Sequence, residues 1–392
     1  MYSSLIQFFV FFALIGLIIL YTDQLPFLYR FCSVLRIITF FVVFPQVLCR
    51  ISKLKLFHYF FFLYFILLLC SCVFHGMGLY ALVFHAVTIF ALIGLLTIGF
   101  ERDVNQTLRI LTLVFSLFVI ANFFLILLSP DGMWKLRSDA LGEIVGYYFV
   151  GGNRNQMGAT LLVAYLTSSL YSQKTGKLRK LNIIVLVSSI ISLIIIDSKT
   201  SILGFLATVL FMYVKKEKIR KYSLFAIIVG YFLFQFIVVF TLTDISSNQY
   251  VSYLVEDVLG KDLTFSGRVP IWERSLLMFY LSPIWGYGLY DTDFMMFYIN
   301  AFHPHNFIYS ILIKGGVCLL SCAVCLCYIS IRQTYIYKSN ISIMLLFGFW
   351  IFLFMSIMEV YPFILFAYIL TLLFYSKYYL NSFVKNVEHT SR

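Results

Sequence analysis

Two histidines on either side of one proline, His303 and His305, are the side chains in this sequence best suited to accept a proton. They are two of only six histidines in 392 residues. An imidazole ring titrates near neutral pH, so it can act as a general base toward a hydroxyl group. His305 is therefore a candidate base, and His303 and the following Asn306 are candidates to orient it.

Three basic residues, Arg154, Lys199 and Arg268, lie beside apolar segments rather than in the most basic loops. Arginine presents a planar fork to phosphate oxygens, and lysine supplies a point charge. If the three side chains converge on one pocket, they would suit a diphosphate. Taken singly, each could instead reach toward the membrane interface, bind lipid phosphate without specificity, or be solvated.

A metal site at the same two histidines is an alternative, because Asp291 and Asp293 upstream would add carboxylate ligands. Two histidines separated by one residue are weak evidence for a metal, and both rings could also be purely structural. Cys322, Cys325 and Cys327 have aliphatic neighbours and indicate helix packing. We therefore expect neither a metal nor another cofactor.

The chain that carries these residues has the composition of an integral membrane protein. It is 62% hydrophobic and 12% charged, whereas a soluble domain has about 25% charged residues. A bilayer is crossed by about 20 apolar residues in a helix, and by this criterion about twelve segments could cross it. These segments are 4–20, 31–48, 58–75, 78–98, 108–128, 156–173, 181–197, 201–214, 222–241, 306–330, 341–358 and 360–376. The sequence predicts an all-α polytopic protein in which residues 1–392 form a single integral membrane domain.

The positions of the 29 Lys and Arg residues predict the orientation of these helices. Most of them fall in short loops on one side, which is typical of cytoplasmic loops. Both termini are then cytoplasmic. Two large loops, 129–155 and 242–304, face outside, and the second lies between spans nine and ten. The same pattern accounts for the net charge of +12 without a nucleic-acid partner.

Two further features lie outside these motifs. Residues 272–281 mix charged and large apolar side chains, which predicts a helix on the outer membrane surface. This segment contains Arg274. Glu359 lies beside Pro362 in an outside turn and has no partner that the sequence reveals.

The order of the outside motifs resembles that of a known bacterial family. In chain order the motifs are Arg154, Ser198-Lys199-Thr200, Ser266-Gly267-Arg268 with Trp272, Pro283 with Gly286-Tyr287-Gly288, His305-Asn306 and Gly315-Gly316. Their order, spacing and common outside location are similar to those of the O-antigen ligase and polymerase superfamily. The resemblance is greatest to the Wzy-type polymerases of O-antigen or capsular repeat units.

The resemblance implies an inverting, metal-independent glycosyltransferase of the GT-C type in the bacterial cytoplasmic (inner) membrane, with its active site facing the periplasm. The donor would be an oligosaccharide on undecaprenyl diphosphate. The implied diphosphate-binding residues are Arg154, Lys199 and Arg268. The implied catalytic residues are His305 and Arg268, with His305 either taking the acceptor proton or positioning the sugar. The implied substrate-positioning residues are Asn306, His303 and Arg274.

The resemblance leaves the acceptor open between two classes. In polymerases the acceptor is a second lipid-linked repeat unit, and in ligases it is lipid A core. Leu319, where ligases often have a small or aromatic residue, favours a polymerase. Lys199 stands where many relatives have arginine, and it cannot bind phosphate in a bidentate way. Membrane lipid and a polysaccharide chain-length regulator are further candidate partners.

Two other classes of protein match parts of the sequence. A flippase or transporter of lipid-linked oligosaccharide would suit twelve spans, but the charges cluster on one side rather than at the membrane midplane. A metal-dependent GT-C enzyme would have an acidic pair in the first outside loop, which here holds only Asp23. Sensitivity to EDTA would distinguish this last class.

Overall fold

The computed structural model of the chain describes residues 4–19, 26–49, 54–137, 144–149, 152–240, 267–337 and 339–379. Its α-helices are α1 (Ser4–Ile19), α2 (Pro26–Leu48), α3 (Leu56–His75), α4 (Leu79–Arg102), α5 (Val104–Leu128), α6 (Met157–Thr175), α7 (Arg179–Ile195), α8 (Lys199–Tyr213), α9 (Glu217–Leu233), α10 (Arg268–Leu281), α11 (Thr292–Ile299), α12 (Phe307–Tyr335), α13 (Asn340–Met355) and α14 (Phe363–Phe374). A π-helical segment, Phe234–Phe240, extends α9. Three short antiparallel strands follow α5 in the order β1 (Trp134–Arg137), β2 (Ile144–Phe149) and β3 (Gly152–Asn153).

The structure confirms the prediction of a helical protein with several helices able to cross a membrane. Each predicted apolar segment coincides with a helix, and the small sheet is a local addition in the first large loop. Among the described residues, six helices are long and apolar enough to cross a membrane, namely Arg30–Val47, Leu56–His75, Leu79–Arg102, Val104–Leu128, Glu217–Ile237 and Phe307–Tyr335. The count of twelve spans stays a prediction, as does the placement of the large loop between spans nine and ten. Residues 241–266 of that loop lie outside the described part of the chain.

The centre of the helical bundle is formed by α6, α13 and α14. Helix α6 is buried throughout residues 157–172, and α14 throughout residues 364–374. Helices buried on every side belong to the interior of a bundle. In contrast, most side chains of α9 are at least partly exposed, so α9 lies at the periphery. The ends of α8, α12 and α13 at one side of this bundle position the residues considered below.

The loop after α10 docks on a break in α12. Gly315 and Gly316 have non-helical backbone angles inside that helix. At the break, the amide of Val317 donates to the Pro283 carbonyl at 2.8 Å, and the amide of Tyr287 donates to the Ile313 carbonyl at 2.7 Å. These hydrogen bonds account for the Gly-Gly motif. They require two segments of the backbone to approach closely, and a side chain at either glycine would lie between them.

Helix α10 also packs against α12. The docking point of the loop lies nine residues beyond the first residue of α12, or roughly 13 Å along its axis. The position of residues 272–281 on the outer membrane surface stays a prediction. The helix itself is present, with Trp272, Ser275 and Met278 buried on one face.

Replacing Gly316 with alanine is expected to destabilise the protein by at least about 2 kcal/mol. Gly316 has φ +60°, and an added Cβ would lie 2.2 Å from the Ile284 carbonyl oxygen. Thermal unfolding of the purified protein in detergent measures the effect. The matched control is Gly230→Ala in α9, where the nearest atom would be 4.0 Å away. Equal unfolding temperatures for the two variants would contradict the docking described here.

Candidate active site

Glu359 lies in the turn between α13 and α14 and contacts both candidate histidines. Its Oε1 is 3.0 Å from His303 Nε2, and its Oε2 is 3.4 Å from His305 Nδ1. The residue is only 4% exposed, and the Val360 amide also donates to its Oε1 at 3.2 Å, so this buried carboxylate is paired by the two rings and one backbone amide. The ring centroids of the two histidines are 4.1 Å apart. The turn therefore brings together the three side chains best able to move a proton.

The hydrogen bonds of His303 determine which of its nitrogens carries the proton. The backbone amide of His305 donates to His303 Nδ1 at 3.2 Å, so Nδ1 is an acceptor. In a neutral ring the proton is then on Nε2, which donates to Glu359. His303, His305 and Glu359 are close enough to hold a metal, since their ligand atoms lie within 4.8 Å of one another. However, a metal would need the Nε2 lone pair, which this pattern of bonds does not provide.

The two aspartates considered as further metal ligands have other positions. Asp291 caps α11, where its Oδ1 accepts a hydrogen bond from the Phe294 amide at 2.8 Å. Both Asp291 and Asp293 are exposed. In the part of the chain that the structure describes, the carboxylate that contacts the two histidines belongs to Glu359 rather than to these aspartates.

The ionisation of the cluster suits a neutral base paired with a charged carboxylate. Burial opposes ionisation of Glu359, but the charges and hydrogen bonds of His303 and His305 outweigh it and hold the pKa of this carboxyl below its usual range. Burial lowers the pKa of His305, and Glu359 offsets this only in part. This lowered pKa favours the neutral form of His305. His305 Nδ1 lies 3.4 Å from Glu359 Oε2, so a ring proton on Nδ1 would face the carboxylate and leave the lone pair on Nε2.

Arg268 enters the same site at the first turn of α10. Its Nε donates to the carbonyl of Met358, the residue before Glu359, at 2.9 Å. Its positive charge also acts on His305. Arg268 is the first residue of a 14-residue helix, so the partial positive charge of the helix N-terminus adds to that of the guanidinium.

Asn306 fixes the chain between the histidines and α12. Its Oδ1 accepts from the Tyr309 amide at 3.1 Å and so caps the helix. Its Nδ2 donates to the Ile357 carbonyl at 3.2 Å, two residues before Glu359. The sequence suggested that Asn306 orients His305 or the substrate, and the structure places it as the anchor of the histidine-bearing loop.

The segments carrying Arg154 and Lys199 approach the turn that carries Glu359. Two residues after Arg154, the Gln156 side chain donates to the Val360 carbonyl at 3.2 Å. Lys199 begins α8, which packs against α13, the helix that leads into this turn. The chain around Glu359 thus bonds directly to the segments that carry Arg154 and Arg268.

The side chains of Arg154 and Lys199 do not themselves contact this cluster in the described contacts. Arg154 donates to the carbonyl and carboxylate of Asp197, at 3.1 and 3.3 Å. Lys199 is exposed at the first residue of α8. Arg274, predicted to position substrate, is also exposed, and it donates to the Ile299 carbonyl at the end of α11 at 3.3 Å.

The sequence contains only a weak signal for Glu359. It is an isolated carboxylate in a short turn between two strongly apolar helices, where a charge is expensive unless it has a partner. That partner is distant in sequence, because α12 and α13 separate the histidines from the turn. Gln156, whose side chain also bonds to this turn, had no sequence signal that would single it out.

Residues 184–324 match the family model described as O-antigen ligase. The matched region includes Lys199, Arg268, His303 and His305, whereas Arg154 and Glu359 lie outside it. No curated protein matches the chain. The family indicates a ligase or polymerase type of function and comprises membrane glycosyltransferase-like enzymes that act on lipid-linked sugars. The match at residues 184–324 supports the O-antigen ligase/polymerase superfamily for this chain, as the resemblance of its motifs predicted.

Proposed function

We propose that the protein polymerises oligosaccharide repeat units carried on undecaprenyl diphosphate into O-antigen or capsular polysaccharide. The observation that supports this most directly is the cluster of His305, His303 and Arg268 around the turn of Glu359. It combines a candidate base with a fixed cation, and these groups can assist glycosyl transfer from a diphosphate by accepting the hydroxyl proton and by stabilising the leaving group. The reaction would occur at the outer face of the bacterial cytoplasmic membrane, with both termini in the cytoplasm.

The proposed step is a direct displacement with inversion. A hydroxyl oxygen of the acceptor sugar attacks the anomeric carbon of the donor, and the bond from that carbon to the diphosphate oxygen breaks. The hydroxyl proton passes to His305 Nε2, where the lone pair is available. The leaving group departs as undecaprenyl diphosphate. In this proposal fixed cations of the protein stabilise its charge, and no metal or other cofactor takes part. Glu359 stabilises the imidazolium that forms, because its carboxylate faces Nδ1.

Positive charge is the second element of the proposal. Negative charge grows on the departing diphosphate, and fixed cations and helix N-termini stabilise it without having to reorganise. Arg268 is the fixed cation of the cluster, because its Nε donates to the Met358 carbonyl beside Glu359. Arg154 joins it by exchanging Asp197 for a phosphate oxygen, and Lys199 adds a charge at the N-terminus of α8. His303, Asn306 and Arg274 would position the sugars.

Transfer of finished polymer to lipid A core is the second candidate function. The matched family model is described as O-antigen ligase, which favours this activity, whereas Leu319 favours the polymerase. The two reactions share the donor chemistry and differ in the acceptor. In either case membrane lipid is a partner, and a polysaccharide chain-length regulator is a partner proposed for the polymerase.

Deletion of the coding sequence, followed by gel analysis of the cell-surface glycan, tests the proposal. A polymerase predicts loss of the ladder of chain lengths, with single repeat units remaining, and restoration by the wild-type chain but not by His305→Ala. Long polymer left on the carrier lipid would show a ligase instead. Accumulation of lipid-linked units at the cytoplasmic face would show a flippase and would overturn the enzymatic proposal.

A further inference from the structure

A buried glutamine in the π-helical segment after α9 contacts the histidine-bearing loop. Gln235 is 1% exposed, although its helix is otherwise apolar enough to cross a membrane. A buried amide is costly unless it is hydrogen-bonded. Short π-helical turns inside helices are frequent at functional sites. Both observations suggest that Gln235 has a role that apolar packing alone would not require.

The hydrogen bond of Gln235 is with Asn306. Gln235 Oε1 accepts from Asn306 Nδ2 at 3.1 Å, and Asn306 is fully buried. Gln235 Nε2 has no partner among the described residues, so the bond to Asn306 is the one hydrogen bond described for this side chain. A second contact from the same segment supports the first, because the Tyr309 hydroxyl donates to the Val239 carbonyl at 3.0 Å.

The residue next to Asn306 has a strained backbone. His305 has φ +47°, which is unfavourable for a residue with a side chain and persists only where the surroundings hold it. Asn306 is held through its side chain at Gln235, Ile357 and Tyr309. The restraint on Asn306 therefore also restrains His305, whose ring must face Glu359.

We infer that Gln235 is a positioning residue for the base, acting through Asn306 to keep His305 in its left-handed conformation against Glu359. This inference rests on the proposed function, because it assigns Gln235 a part in the same reaction. The contacts described for Gln235 do not reach substrate or the reacting atoms, so its effect is on the geometry of the base. It should alter the rate of the chemical step more than the binding of substrate.

The test uses Gln235→Met in the full-length protein reconstituted in lipid vesicles. The substrate is the lipid-linked repeat unit extracted from the deletion strain. We expect kcat to fall about tenfold, as for loss of one buried hydrogen bond at the site, while KM stays within about twofold. The matched control is Gln46→Met in α2, where the Gln46 side chain donates to the Val42 carbonyl of its own helix at 3.0 Å. This control is expected to retain wild-type kcat and KM.

A second variant keeps the test decisive if Gln235→Met does not fold. Asn306→Asp retains the acceptor that caps α12 but loses the donor to Gln235 and to the Ile357 carbonyl, so we expect it to reduce kcat at least as much as Gln235→Met. If both variants fold, the double variant should be no worse than the more impaired single one, because both remove the same bond. Additive losses, an unchanged kcat in Asn306→Asp, or an increase in KM alone would overturn the inference.

His305→Ala separates this inference from the proposed function. A large loss of turnover in His305→Ala with normal turnover in Gln235→Met would overturn only the role of Gln235. Normal turnover in His305→Ala would overturn both.

Discussion

Arg268→Ala is expected to reduce the turnover of lipid-linked repeat units by about 100-fold or more, which is the typical effect of losing one fixed group that stabilises charge in a transition state. Arg268 is held beside Glu359 by its bond to the Met358 carbonyl, and it begins α10, so both its charge and the helix N-terminus face the site. The measurement is kcat in vesicles, with protein level and unfolding temperature as checks on folding.

Two further variants define what Arg268 contributes. Arg268→Lys retains the charge but not the planar fork, so we expect partial activity. Arg332→Ala removes an exposed arginine from the last turn of α12 and is expected to have no effect. Full activity in Arg268→Ala would remove the main cation from the proposed mechanism.

Glu359→Gln is expected to reduce kcat by about 100-fold, the lower range of the contribution of a general base. The substitution keeps the size of the side chain but replaces one acceptor oxygen with an NH2 donor. If this donor faces His305 Nδ1, the proton of the ring moves to Nε2, and the lone pair that would accept the hydroxyl proton is lost. Glu359→Asp keeps the charge and is expected to retain more activity than Glu359→Gln.

The pH dependence gives a second readout of the same residue. Burial places the pKa of His305 below its ordinary value, which is about 6.5. Activity should therefore persist at neutral pH and fall as the pH drops through this lowered pKa. The charge of Glu359 raises the pKa of His305, so its removal should move the acid limb of kcat/KM to still lower pH. Normal turnover in Glu359→Gln with an unchanged acid limb would contradict the pairing.

The helices were predictable because a membrane imposes a simple rule on sequence. Segments such as 58–75 and 108–128 need about 20 apolar residues to cross the hydrocarbon layer, and little else in a sequence has this form. The break at Gly315-Gly316 was also visible, since glycines interrupt that apolar run. The small sheet formed by β1, β2 and β3 was not predicted, because its strands are short and its pairing depends on a loop rather than on a long periodic pattern.

The candidate site was predictable in part. Residue chemistry identified His303, His305 and Arg268, which the structure gathers at one turn. The role of Glu359 was not predictable, because it depends on the packing of α12 against α13 and α14 rather than on any local motif. The same limit applies to Arg154, since no sequence pattern indicated that Asp197 would be its partner.

Reconstitution of the purified protein with the extracted lipid-linked repeat unit, in the presence of EDTA, tests the central proposal most directly. The account predicts that longer glycans form while undecaprenyl diphosphate is released, with one carrier released for each unit added, and that both products are lost in Arg268→Ala and His305→Ala. Failure of the wild-type protein to release the carrier, or a requirement for an added metal ion, would contradict it.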